Sequence, residues 1–264
     1  MTIDRRELLV TVAVVAVACF LLWSTPVLLP LRLLVTLVHE AGHATVAMLS
    51  GGSVQSLTVN ANEGGLTRFS LPAGRSTLKL VAIGSAGYVG TAIVGGALLE
   101  VCGRLGRARI ALGALAATVA AIGLAWVPWS ISPDGVTAEA SGSGRGDGRF
   151  TILVCVVAVI VFVGLAVQPI VRLRRVALVA IATGLCLGAV EDLRVVLTIA
   201  RAGGHSDASI VADAAPFPPW FWASLWMLIG VVSCGLACWS ALGRYQRSSL
   251  KTSAAGSPSQ APSA

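Results

Sequence analysis

Seven apolar segments dominate the sequence, and each is long enough to cross a lipid bilayer. The hydrocarbon core of a bilayer is about 30 Å thick, which takes about 20 consecutive, mainly apolar residues in a helix. Charged residues make up 12% of the chain, against about 25% in a typical soluble domain. The sequence therefore predicts an all-α polytopic membrane protein with about six to seven transmembrane helices. The predicted spans are residues 8–29, 31–50, 79–101, 108–128, 151–171, 175–200 and 220–243.

The chain is expected to form a single integral membrane domain over residues 1–247. Its first apolar run follows Arg5 and Arg6 and lacks a clear small-residue cleavage site, so we interpret it as a retained helix and not as a signal peptide. Residues 131–149 are rich in glycine and serine, which is typical of a flexible loop. Residues 248–264 are rich in serine, alanine and proline, and we expect a disordered tail there.

The net charge of +7 does not indicate a nucleic-acid partner. The arginines cluster in short connections between apolar segments, and no basic face is interleaved with aromatic residues. Such clusters are typical of loops beside anionic lipid, so the lipid bilayer is the predicted partner. They do not decide the orientation of the chain in the membrane. The six cysteines include no CxxC pair and indicate no disulfide framework.

The most informative short pattern is HExxH at residues 39–43, inside the second apolar segment. Residues four apart lie on one face of a helix, so His39 and His43 can reach one metal ion. Glu40 lies beside them, where it can take a proton from water at the metal. Ionisable residues are costly within a membrane and are usually functional there. The alternative is a pair of buried histidines satisfied by backbone carbonyls, which would leave Glu40 unexplained.

A short β-hairpin is predicted directly after the HExxH helix. Val54, Leu57 and Val59 alternate with polar residues, as in a strand. The turn-rich residues 60–65, NANEGG, follow, and residues 66–70 continue as a second strand. Because an open sheet edge is not tolerated against lipid, the hairpin must lie at the interface, inside a protein cavity or in water.

A catalytic zinc ion usually has three protein ligands, so a third residue is needed beside His39 and His43. Asp192 is our first choice. It lies with Glu191 inside the apolar segment 175–200, where a carboxylate requires a cation or a metal. An ion pair with a nearby arginine would satisfy this requirement as well.

Three further residues are candidates for the third ligand. Asp207 stands in a loop that could fold back toward the metal, although Ser206-Asp207 before a short apolar run is also an ordinary helix N-cap. His205 is adjacent and fits a solvated loop equally well. Asp134 belongs to a Pro-Asp-Gly sequence, which is typical of a turn. The residues alone leave the choice open.

The chain resembles the site-2 protease family of intramembrane zinc metalloproteases. The resemblance rests on residues 38–44, VHEAGHA, within an apolar segment. It extends through Gly51-Gly52, the predicted hairpin and the Gly/Ala-rich segment that begins with GSAG at residues 84–87. It covers roughly residues 33–100 and looks closest to the compact bacterial branch that is often labelled B-like.

The resemblance implies a helical core that encloses Zn2+ in the membrane, with His39 and His43 as metal ligands and Glu40 as general base. It also implies that residues 54–59 bind an unwound substrate segment by edge pairing. The family's usual third ligand is the aspartate of a Leu-Asp-Gly motif that asparagine and proline precede. Here Pro133-Asp134-Gly135 lacks the leucine and the asparagine, and Asp192 has no following glycine.

The expected function is that of a zinc-dependent intramembrane endopeptidase in a bacterial cell membrane, with membrane-embedded proteins or peptides as substrates. The missing Leu-Asp-Gly motif favours an alternative, a catalytically inactive zinc-binding membrane protein that binds transmembrane partners. A third possibility is a transporter that uses the same residues as a metal or proton path. Transporters often contain inverted repeats, and this sequence shows none.

Overall fold

The computed structural model describes residues 5–72, 76–102, 107–127, 148–201 and 206–255. These residues form eight α-helices and one antiparallel pair of strands, which confirms the predicted helical fold with a short hairpin. The elements are α1 (Arg5–Leu22), α2 (Leu29–Leu49), β1 (Ser53–Val59), β2 (Gly65–Ser70), α3 (Thr77–Cys102), α4 (Ala108–Ala125), α5 (Gly148–Val167), α6 (Val171–Arg201), α7 (Asp207–Ala214) and α8 (Pro219–Ala255).

Six segments of the described chain are long and apolar enough to cross a membrane, which agrees with the lower number predicted. They are Pro26–Leu49, Thr77–Cys102, Ala108–Ala125, Gly148–Val167, Val171–Ile199 and Pro219–Ser240. The chain is therefore a multi-pass membrane protein.

The first predicted span, residues 8–29, is interrupted. Helix α1 ends at Leu22, and its apolar part, Leu9–Leu22, is shorter than the other six. Thr25 is extended, with φ −89° and ψ 155°, because the ring of Pro26 disfavours helical backbone in the residue before it. A short 3-10 turn, Pro26–Leu28, then leads into α2. The sequence pattern alone did not indicate this break.

Helix α3 is the centre of the bundle and packs on α2, α6 and α8. Small residues allow the close approach. A Cβ atom added to Gly42 would lie 2.5 Å from the carbonyl oxygen of Ala86, and one added to Gly95 would lie 3.0 Å from the backbone nitrogen of Cys186. Small residues at helix contacts are typical of membrane bundles. Helix α5 is the most apolar, with a mean hydropathy of 3.1, and exposes large side chains such as Ile160 toward the lipid.

The hairpin folds back onto α2 and is fixed at its turn. The strands pair from Ser53–Ser70 to Val59–Gly65, with a bulge between Val54 and Ser56. At the turn, the guanidinium of Arg32 donates two hydrogen bonds, of 2.7 and 2.8 Å, to the carboxylate of Glu63. Glu63 itself has a positive φ of 68°. The ion pair ties the hairpin to α2 about two turns before the HExxH histidines.

The end of β1 at Val59 is covered by α5. The hydroxyl of Thr151, on α5, accepts a 2.8 Å hydrogen bond from the backbone N–H of Val59 and donates a 3.1 Å bond to its carbonyl. Residues 56–59 are all buried. Of the placements predicted for the hairpin, the structure therefore favours a cavity within the protein.

Two expectations concern segments that are only partly described. The predicted flexible loop, residues 131–149, lies outside the described residues up to residue 147, and α5 begins at Gly148. Helix α8 continues to Ala255, so residues 248–255 of the predicted disordered tail are helical. The rest of that tail lies outside the described residues.

The close contact of α3 with α6 predicts that Gly95→Ala destabilises the bundle. The added methyl group would be forced against the backbone of α6, and overpacking of this kind typically costs about 1–3 kcal/mol. Gly113→Ala is the matched control, because a Cβ atom there meets nothing within 4 Å. Thermal unfolding of both variants in detergent measures the difference, and equal stabilities would contradict the predicted packing.

Candidate metal centre

Two histidines of the HExxH pattern lie on the buried face of α2. Their spacing of four residues places both rings on one side of the helix, and their exposed fractions are only 8% and 6%. The Nε2 atom of His43 lies 2.9 Å from Nε2 of His39. The two nitrogens are therefore directed at the same point.

A carboxylate from the far end of the chain joins them. Asp207 is the first residue of α7, and its Oδ2 atom lies 3.5 Å from Nε2 of His39 and 3.5 Å from Nε2 of His43. Ligand atoms about 2.1 Å from a tetrahedral zinc ion are separated by about 3.4 Å. These three residues form the group in the described chain that could hold a metal ion.

The start of α7 explains how Asp207 is presented. Ser206 caps the helix with a reciprocal pair of bonds: its side chain accepts from the backbone of Ser209, and the Ser209 hydroxyl accepts from the backbone of Ser206. Ser206 thus caps the start of α7, and Asp207 has no part in the cap. The Asp207 side chain is left free to reach the histidines.

The neighbours of Asp207 favour the ionised form of its carboxylate. Burial raises the pKa of Asp207, but the imidazoles of His43 and His39 lower it by more, and the pKa falls well below its ordinary value. A charged carboxylate oxygen beside two imidazole nitrogens is a donor set that suits zinc.

The tautomer of His43 also suits metal binding. Its Nδ1 atom lies 2.6 Å from the carbonyl oxygen of Ile83, and because a carbonyl can only accept, Nδ1 carries the proton. In the neutral ring, which is the form that binds metals, Nε2 is then unprotonated and available as a ligand, an arrangement that is usual for metal-bound histidines. Within the described chain, Nδ1 of His39 is buried and has no hydrogen-bond partner.

Gly87 on α3 keeps the space in front of the two rings open. A Cβ atom at this position would lie 2.5 Å from Cε1 of His39 and 2.6 Å from Nε2 of His43. Only glycine lets the backbone of α3 pass so near the ligand atoms. Helix α3 therefore packs against α2 and also leaves the space that the two imidazoles need.

Glu40 is held by the hairpin. Its Oε2 atom accepts a 2.7 Å hydrogen bond from the hydroxyl of Thr67, which also lies 3.0 Å from the Glu40 carbonyl. On β2, Gly65 leaves room for the carboxylate, since a Cβ atom there would overlap Oε1 and approach Cγ to 2.5 Å. The hairpin thus contributes a hydroxyl and an open space to the residue that was predicted as general base.

Asp192 is not in the group with the histidines. Its side chain lines a separate cavity of about 220 Å³ together with Arg32, Val35 and Glu63. Gly188 of α6 packs on Val35 of α2, and Asp192 and His39 each follow one turn later, so Asp192 lies near the level of His39 but outside the three-residue group. Of the other candidates, Asp134 and His205 lie outside the described residues.

Sequence reasoning missed two side chains that contact the site, Thr67 and Tyr88. The hydroxyl of Tyr88 donates a 3.0 Å hydrogen bond to Oδ2 of Asp207. Neither residue belongs to a short pattern, and each reaches the site only through the pairing of elements that are distant in sequence. For Asp207 a local signal did exist, because Ser206 supplies the N-cap and leaves the aspartate without that role.

The space that Gly87 leaves open predicts that Gly87→Ala weakens metal binding. The new methyl group would displace both imidazoles, and we expect the affinity for Zn2+ to fall by about tenfold or more, as for residues that hold metal ligands in place. Gly90→Ala, one turn further along α3, is the control, because its Cβ atom would meet only the Cα atom of Gly42, at 3.9 Å. Zinc titration against a chelator measures both, and equal affinities would contradict the geometry.

Comparison with models of known protein families identifies one family that matches most of the chain. A family model described as Peptidase M50B-like matches residues 12–131 and 148–237. The matched ranges include the HExxH helix, the hairpin and Asp207. No curated protein and no solved structure matches the chain significantly. Because the family model covers well over half of the sequence, the chain belongs to the Peptidase M50B-like family.

Proposed function

We propose that the protein is a zinc-dependent intramembrane endopeptidase that hydrolyses peptide bonds of membrane-embedded protein substrates. The observation that carries this proposal is the convergence of the buried His39 and His43 with the half-buried Asp207, with Glu40 adjacent in sequence. Membership of a peptidase family supports the reaction class. The resemblance to compact bacterial site-2 proteases supports a location in the bacterial plasma membrane.

The donor set supports zinc as the metal, with His39, His43 and Asp207 as its ligands. Two imidazole nitrogens and one carboxylate oxygen form a common ligand set of catalytic zinc, in which a fourth position stays open for water or substrate. When bound, zinc acts as a Lewis acid that polarises the scissile carbonyl and lowers the pKa of water from 15.7 to about 7. In this proposal Asp207 takes the place that the sequence first suggested for Asp192.

Glu40 moves the proton. Thr67 holds Oε2 of the carboxylate, so we assign the proton transfer to Oε1, beside the space that Gly65 leaves. Oε1 takes a proton from the attacking water and returns it to the amine that leaves. A proton carrier fixed by one hydrogen bond needs no reorganisation when the substrate arrives.

The substrate must be unwound where it is cut, because the carbonyls of an intact helix are hydrogen-bonded. The resemblance to the site-2 protease family implies that a substrate segment pairs with the edge of β1, residues 54–59. At Val59 that edge is bonded to the hydroxyl of Thr151, so pairing there requires Thr151 to move away. Thr151 is then a side chain that a bound substrate displaces.

The role of Glu40 predicts that Glu40→Gln retains zinc and loses cleavage. The amide has nearly the same size but cannot accept the proton, and loss of a general base typically costs about 100-fold to 10,000-fold in rate. New termini in the membrane proteome, compared by mass spectrometry between cells that express the wild type and the variant, measure cleavage. Metal analysis of the purified proteins measures zinc.

Glu191→Gln is the matched control for this experiment, since Glu191 is also a carboxylate of the bundle but pairs with Arg194. It is expected to retain both zinc and cleavage. Unchanged cleavage in Glu40→Gln would remove Glu40 from the mechanism. A wild type that binds one equivalent of zinc and cleaves no membrane protein would favour the inactive zinc-binding alternative.

The assignment of the third ligand predicts different results for two aspartates. Asp207→Ala is expected to weaken zinc binding by more than about 100-fold, beyond the usual cost of losing a residue that only supports a ligand. Asp192→Ala is expected to retain zinc, because its side chain lines the other cavity. Metal analysis of the two proteins, purified side by side, decides the assignment. If Asp192→Ala lost zinc and Asp207→Ala retained it, Asp192 would be the third ligand, as first expected from the sequence.

A further inference from the structure

Tyr88, on the central helix α3, contacts two of the three residues at the candidate metal centre. Its hydroxyl donates a 3.0 Å hydrogen bond to Oδ2 of Asp207. Its ring packs edge-to-face against the ring of His39, with centroids 4.4 Å apart and an interplanar angle of 81°. Nδ1 of His39 has no hydrogen-bond partner among the described residues, so the His39 ring is held by this contact, by the edge contact with the His43 ring and by its Nε2 neighbours.

Tyr88 is itself fixed on its other side. Its ring stacks on Trp226 of α8 at a centroid distance of 4.9 Å. The indole N–H of Trp226 in turn donates a 2.8 Å hydrogen bond to the hydroxyl of Ser85, on α3. Tyr88 and Trp226 are 5% and 1% exposed, so the pair is part of the buried core.

Helix α7 is seated on α3 one turn before Tyr88. Gly84 forms a hollow there, and Val211 of α7 fills it. A Cβ atom on Gly84 would overlap a methyl group of Val211. Val211 and Ala208 are both fully buried. Helix α7 therefore packs on α3 and on α8, where Ala208 and Val211 join the cluster of Ala223 and Trp226.

We propose that α3 positions the third ligand of the metal centre, with Tyr88 as the positioning residue for Asp207 and Gly84 as the seat of α7. This inference rests on the proposed zinc site. The Tyr88 hydroxyl occupies one lone pair of Oδ2, which fixes the rotation of the carboxylate. The Gly84 hollow fixes the distance of α7 from α2. Ligating carboxylates are commonly held by such hydrogen bonds.

Tyr88→Phe tests the hydrogen bond without removing the ring. The phenyl group keeps the contacts with His39 and Trp226, so only the bond to Asp207 is lost. We expect the affinity for Zn2+ to fall by about 10-fold to 100-fold, and the visible absorption of the Co2+-substituted protein to change as the carboxylate rotates. Unchanged affinity and an unchanged Co2+ spectrum would overturn the proposal.

The same substitution in an Asp207→Ala background separates positioning from a general structural effect. If Tyr88 acts through Asp207, Tyr88→Phe has less than about a twofold effect on zinc affinity once the carboxylate is gone. An equal loss in both backgrounds would contradict a role through Asp207. A wild type that binds no zinc would instead overturn the proposed function itself, and the two failures are thus distinguishable.

Gly84→Ala tests the seat of α7 independently, because it touches no ligand. The added methyl group pushes Val211 away, and we expect a loss of zinc affinity of about tenfold. Gly90→Ala, on the same helix, is the control and is expected to bind zinc as the wild type does. Equal affinities of the two variants would overturn the role assigned to Gly84.

Discussion

The structure depends on how two buried imidazoles and one half-buried carboxylate are accommodated within an apolar bundle. Two imidazoles and a carboxylate would be costly if each were buried alone, and together they form one cluster whose ligand atoms are 2.9 to 3.5 Å apart. The histidines come from α2, while the carboxylate comes from α7, which is seated on α3. The cluster therefore requires the whole bundle and cannot be assembled by the HExxH helix alone.

Glycine is what lets these elements meet. Gly42 brings α2 against α3, Gly87 leaves space at the imidazoles, and Gly65 brings the hairpin against Glu40. In each case a methyl group would collide with backbone or with a residue of the site. The hairpin is likewise part of the site, because it places the Thr67 hydroxyl on Glu40 and is itself tied to α2 by the Arg32–Glu63 ion pair.

Local patterns in the sequence predicted the apolar spans, the HExxH helix and the hairpin, because each depends on neighbours a few residues apart. They did not predict which aspartate joins the histidines. The packing of α7 on α3 and α8 is what brings Asp207 within 3.5 Å of both imidazoles, and no local pattern in the sequence reports that packing. The break before Pro26 was missed because the apolar run continues across it. Tyr88 gave no signal, since one tyrosine in an apolar helix is ordinary.

X-ray absorption at the zinc edge of the purified wild-type protein tests the central claim most directly. The account predicts one zinc ion per chain with only nitrogen and oxygen neighbours at about 2.0–2.2 Å, from two imidazoles, one carboxylate and one further light atom. A sulfur neighbour at about 2.3 Å would place zinc at the cysteines and contradict the account. So would a protein that binds no zinc.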